Sequence, residues 1–148
     1  MTLPDENIQE MTAYQNGPFQ NLTIQDALTI IAVCASQMDP EDCQQDIKRA
    51  AAIIRNRPEF EDHKEGISSR FNRYVNSTQV VDPAQALEMA AGVLENPEVK
   101  KSAFELAVEV AMTGKNLTGE KRVILEKIAK RLHLDPELRQ RTIDKFAG

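Results

Sequence analysis

Apolar residues recur along this chain in stripes at helical spacing, separated by polar, Pro- or Gly-containing breaks. Ile24, Leu28, Ile31, Ala32 and Ala35 share one face, and Ile47, Ala50, Ala51 and Ile54 share the next. Further on, Ile67, Phe71, Tyr74 and Val75 form a third stripe, and Ala86, Leu87, Ala90, Val93 and Leu94 a fourth. Val99, Ala103, Leu106, Ala107 and Val110 follow, then Ile124, Leu125, Ile128, Ala129 and Leu132, and finally Leu138 with Phe146. No stretch shows strand alternation. Single apolar faces on short helices predict a compact all-α bundle rather than a coiled coil.

The breaks carry helix-start chemistry. Asp39-Pro40-Glu41, Asp82-Pro83, Asn96-Pro97-Glu98 and Asp135-Pro136-Glu137 each place an Asx side chain where it can accept from a first-turn amide. Proline at the next position has no amide to lose and a backbone angle already suited to helix. Glutamate after it meets the positive end of the helix dipole. Thr23 and Thr118 are read as caps in the same way.

The predicted helices run from about Pro4 to Gln15, from Thr23, from Asp39 to about Arg55, and from Asp62 to Asn76. Others start at Asp82, Asn96 (to Thr113-Gly114), Thr118 and Asp135. Gly66 weakens the Asp62–Asn76 helix by about 1 kcal/mol relative to Ala. The expectation is a single domain of about seven or eight helices. Residues 1–21 form an N-terminal segment with a short helix, and residues 22–148 form the helical domain.

Two regions look alike. Ala27 to Ile54 reads as helix, turn Ser36-Gln37-Met38, Asp cap, helix; Leu106 to Leu132 reads as helix, turn Gly114-Lys115-Asn116-Leu117, Thr cap, helix. Met38 and Leu117 precede the caps, where a hydrophobic staple can form. Glu41 and Glu120 each sit two residues beyond their caps. This predicts an internal pair of helical hairpins.

Composition narrows the class. The chain has 148 residues, enough for one real core, with 41% hydrophobic and 28% charged residues and no Trp. No apolar run approaches the ~20 residues needed to span a bilayer. Met1 to Glu10 has neither a basic n-region nor an apolar h-region, so the expected location is cytoplasmic and Cys34 and Cys43 are expected as reduced thiols. Cys34 lies on an apolar face and is read as core.

Charge is unevenly spread. Eight acidic residues and no Lys or Arg precede Lys48, so that segment carries −8; the remainder has 18 basic against 15 acidic residues, or +3. An acidic first third argues against nucleic acid as the main partner. It suits a cation or a basic protein surface. Arg70, Arg73 and the basic residues from Lys121 to Arg131 lack aromatic interleaving over the C-terminal run and are read as solvated helix faces.

Catalytic signals are sparse. His63 and His133 have no zinc-type spacing to Cys or carboxylate. His63 falls in a solvated first turn, and His133 sits at a helix end where an imidazole can meet terminal carbonyls. No Gly-rich phosphate loop is present. No catalytic residue is assigned, and the expectation is a non-enzyme.

One stretch carries a family resemblance. Ala111-Met112-Thr113-Gly114-Lys115-Asn116-Leu117-Thr118-Gly119-Glu120 resembles the second turn of TerB-like domains, the tellurite-resistance family. Ile124 to Leu132, followed by His133-Leu134-Asp135-Pro136, is similar to the family's helix and its Leu-Gly-Leu-Asp-Pro exit. Cys34 to Asp42 is similar to the first turn. The resemblance covers about Leu22 to Phe146. It implies two related helical hairpins, a role in tellurite or general stress resistance, and acidic residues holding a divalent cation. Where the family's turns carry Asp, this chain has Ala35 and Gly114. Asp39, Glu41, Asp42 and Glu120 remain as candidate ligands for a cation such as calcium, and all four also suit helix N-terminal roles.

Three function classes follow. The first is a cytoplasmic stress-response module that binds an unknown protein partner, as monomer or homodimer. The second is a divalent-cation binder or sensor using the acidic first third. The third is an enzyme with a site assembled from distant residues. A pocket placing His63 or His133 beside a carboxylate would point to the third. An exposed apolar patch would point to the first.

Overall fold

A computed structural model describes residues 22–36, 43–77, 82–112 and 119–147. They form seven α-helices: α1 (Ile24–Ser36), α2 (Cys43–Arg55), α3 (Ile67–Ser77), α4 (Pro83–Val93), α5 (Pro97–Ala111), α6 (Gly119–Arg131) and α7 (Pro136–Ala147). A short 3-10 turn, Pro58–Phe60, links α2 to α3. The described residues contain no strand. Ser36, expected in the first hairpin turn, is instead the last residue of α1; the rest of that turn, the second turn, the expected helix over Pro4–Gln15 and the Asp39 and Thr118 caps lie outside the described residues.

Local hydrogen bonds explain the helix starts. Asp82 accepts from the Ala84 amide at 3.1 Å, Asn96 from Glu98 at 2.8 Å and Asp135 from Glu137 at 3.3 Å. Thr23 Oγ1 accepts from the Asp26 amide at 3.1 Å, and Asp26 Oδ2 accepts from the Thr23 amide at 3.1 Å. That is a reciprocal capping box with Asp in the place usually taken by Glu.

The fourth expected helix starts later than its pattern suggests. Gly66 has φ +72°, a left-handed backbone that cannot continue a right-handed helix. Its carbonyl accepts from the Arg70 amide at 2.9 Å, so α3 begins at Ile67. Glu61 to Glu65 therefore form an exposed connection, not a first helical turn. Phe60, in the 3-10 turn, is fully buried, although it belongs to no periodic stripe.

Two helices are buried far beyond one face. Ala27 to Val33 are all buried in α1, and α5 buries Ser102, Ala103, Phe104, Leu106, Ala107, Val108, Val110 and Ala111. The expectation of single faces fails for these two because both lie at the middle of the bundle. Burying each of Leu28, Ile30 and Ile31 is worth about 1.5–3 kcal/mol. Thr29 fits there because its hydroxyl donates to the Gln25 carbonyl at 2.7 Å.

The two helix pairs read as hairpins pack on each other. α1 and α5, the first helices of the two hairpins, lie against each other. α1 also packs on α6, and α5 on α2, so each first helix touches the other hairpin's second helix. The helices that follow fold back alike, α3 onto α1 and α7 onto α5. α4 lies against α1 and makes only slight contact with α6. That slight contact leaves a groove.

Candidate functional site

None of the four expected cation ligands has a described side chain. Asp39, Glu41 and Asp42 lie outside the described residues. Glu120 belongs to the first turn of α6, and only its backbone is described. Among the described residues, no group of three or more His, Cys, Asp or Glu side chains is placed to hold a metal ion.

What the structure does present is a groove of about 1140 Å³ between α4 and α6. Leu87, Ala91, Leu94, Ile124 and Cys34 give it an apolar floor. Its α4 side carries Asp82, Glu88 and Glu95; its α6 side carries Lys127, Lys130 and Arg131, with His133 just beyond. Lys100, from the first turn of α5, closes one end. Glu88 lies on α4 itself, Asp82 caps its start, and Glu95 follows its end at Val93. Among the described residues one ion pair joins the two sides, Arg131 Nη1 to Glu88 Oε1 at 3.8 Å. Both partners are largely exposed, so it holds the groove shut only weakly.

The end of α6 positions His133. The Leu134 amide donates to the Ala129 carbonyl at 3.0 Å, and the His133 amide to the Lys130 carbonyl at 3.1 Å. These two bonds make a Schellman cap, with His133 in the left-handed region at φ +57°. The capping is thus done by backbone amides rather than by the imidazole, contrary to the sequence expectation. His133 itself lines the groove.

The groove therefore holds a histidine and three carboxylates, but His63 lies elsewhere, exposed in the α2–α3 connection. Among the described residues no hydrogen bond or ion pair joins His133 to Asp82, Glu88 or Glu95. A general base must lie within hydrogen-bond reach of its partner or substrate proton. Burial pushes the Cys34 thiol up to about 12, so at neutral pH it stays protonated and poorly nucleophilic.

Two polar clusters elsewhere tie helices together. Asp26 Oδ1 meets Arg70 Nε at 3.3 Å and Arg73 Nη2 at 3.6 Å, joining α1 to α3. Beside them, Tyr74 is buried, and burial with the nearby Asp26 carboxylate raises its phenol against the opposing pull of Arg73. In the second cluster, Arg57 Nη2 donates to Ser102 Oγ at 2.6 Å, and Ser102 Oγ donates to Glu59 Oε1 at 3.0 Å. Glu105 adds a carboxylate 3.5 Å from Arg57, which anchors the 3-10 turn to α5. Arg70 and Arg73 were expected on a solvated face; Arg70 is instead part of the first clamp.

Sequence reasoning passed over Glu88, Glu95 and Lys100. No local pattern marks the two glutamates, since Glu88 lies on α4 and Glu95 beyond its end. Their pairing with a basic α6 wall had no local trace. Comparison with protein-family models, curated proteins and solved structures finds no match for this chain.

Proposed function

We propose that this chain is a non-enzymatic cytoplasmic stress-response module of the TerB-like kind, and that it works by holding a protein partner in the α4–α6 groove. The groove is the observation that carries the reading. An apolar floor with charged edges is the form taken by surfaces that receive an amphipathic partner. At about 1140 Å³ it exceeds the ~300–1,000 Å³ common for small-molecule sites.

Two features support the TerB-like part. The paired hairpins pack reciprocally through α1 and α5. His133 adopts a glycine-type backbone at the position where the resembled Leu-Gly-Leu-Asp-Pro exit has Gly. The non-enzymatic part draws on the protonated Cys34 thiol and on a His133 imidazole that no carboxylate among the described residues orients.

Site-specific photo-crosslinking tests this reading. Benzoylphenylalanine replaces Ala84, an exposed residue that lines the groove, or Gln85, which is exposed on α4 outside it. In cells that make the protein, position 84 is expected to yield a discrete adduct, identified by mass spectrometry, that position 85 does not. Lys127→Glu with Lys130→Glu is expected to remove it. No adduct at position 84, or the same adducts from both positions, would overturn the reading.

A further inference from the structure

The two sides of the groove differ in sign. Glu88 on α4, with Asp82 at its start and Glu95 just past its end, faces Lys127, Lys130 and Arg131 along α6. A floor of one character with edges of opposite charge selects more than apolar fit. Gly92 adds a second observation. It is exposed in the last turn of α4, and a Cβ there would meet nothing within 4 Å. Glycine inside a helix costs about 1 kcal/mol relative to Ala, and no intramolecular packing here requires it. A bare backbone facing a groove is what close approach by another chain needs. Two turns of a helix ~10–12 Å across displace about 1000 Å³, close to the space available.

We propose that the groove takes an amphipathic helix of a partner protein, about two turns deep, with an acidic edge lying against α6 and a basic edge against α4. The inference rests on the interaction-module reading and names the chemistry of its partner. The apolar face of the helix bears on Leu87, Ala91 and Ile124. The Glu88–Arg131 pair opens on binding, and each partner then meets an opposite charge on the incoming helix. Reversing the direction of that helix exchanges its two edges. The wall charges therefore choose between the two ways of lying in the groove, and they reject a helix whose edges carry one sign.

Three synthetic helical peptides with one shared apolar face provide the test. One carries Glu along one edge and Lys along the other, one carries Glu on both edges, and one carries Lys on both. Binding to the full chain is read by fluorescence anisotropy at low salt, where exposed charges are least screened. The mixed-edge peptide is expected to bind about tenfold tighter than either uniform one. Lys127→Glu with Lys130→Glu makes both walls acidic and is expected to shift preference to the all-Lys peptide. Glu88→Lys with Glu95→Lys is expected to shift it to the all-Glu peptide. All four positions are exposed, and circular dichroism checks that each variant is folded. Equal binding of the three peptides, tightest binding of a uniform one by the natural chain, or no binding of any would overturn the proposal. A crosslinked partner at position 84 together with any of those results would leave the interaction-module reading standing and remove only the mixed-edge helix.

Discussion

Asp26 Oδ1 lies 3.3 Å from Arg70 Nε, while its Oδ2 accepts from the Thr23 amide at 3.1 Å. One carboxylate thus closes the first turn of α1 and binds α3. Local and tertiary roles meet in a side chain only 14% exposed. Asp26→Ala is expected to cost about 2 kcal/mol, since it removes a cap contact and leaves Arg70 facing a partly buried gap. Thr23→Ala removes only local bonds and is expected to cost about 1 kcal/mol. Urea unfolding midpoints at unchanged slope measure both. Equal losses would mean that the Arg70 contact contributes nothing.

His133 holds a left-handed backbone with a side chain that disfavours it. Such a conformation costs a non-glycine residue about 1–2 kcal/mol, partly offset by the larger unfolded-state entropy of glycine. His133→Gly is expected to stabilise the fold by about 0.5–1 kcal/mol in chemical denaturation. A β-branched residue there is expected to destabilise it. Loss of stability in His133→Gly would show that the imidazole makes a contact worth more than the backbone strain.

Gly92 presents the opposite trade. Gly92→Ala keeps a helical backbone and adds a methyl into open space. It is expected to raise stability by about 0.5–1 kcal/mol in the same assay. Gly92→Leu fills the groove and is expected to abolish binding of every helical peptide while the chain stays folded.

Alkaline pH tests the buried thiol. Cys34 is raised from 9.0 to about 12 in the folded chain, so above pH 9 the unfolded chain loses this proton first. Unfolding then releases protons, and stability falls with rising pH. The contribution is fully present below pH 9 and is lost progressively up to about pH 12. Tyr74 is also raised and steepens the decline above its ordinary value of 10.0. Cys34→Ala is expected to flatten the profile between pH 9 and 12, measured by denaturant midpoints against pH. A profile parallel to that of the natural chain would place the thiol in water.

Calcium separates the two binding readings. A ligand that binds only the folded state raises Tm with concentration. For the interaction module, metal-stripped protein is expected to show no saturable Tm shift in millimolar calcium. A saturable rise, abolished in Asp39→Asn with Asp42→Asn, would put cation binding first.

The amino-acid sequence determines the helices of this protein because their signals are short-range. Asp82, Asn96 and Asp135 each bond an amide two residues on, and Thr23 and Asp26 cap each other three residues apart. The stripes on α2, α3 and α6 also give buried faces directly, since one side of each helix meets the bundle. Tertiary structure decides the rest. Only the meeting of the hairpins buries α1 and α5 on nearly all sides, seats Phe60 beneath the connection, and brings Arg57 to Ser102 across 45 residues. The groove belongs to this second class. Its acidic and basic walls come from separate helices, and a local pattern of charge cannot say which distant helix it will face.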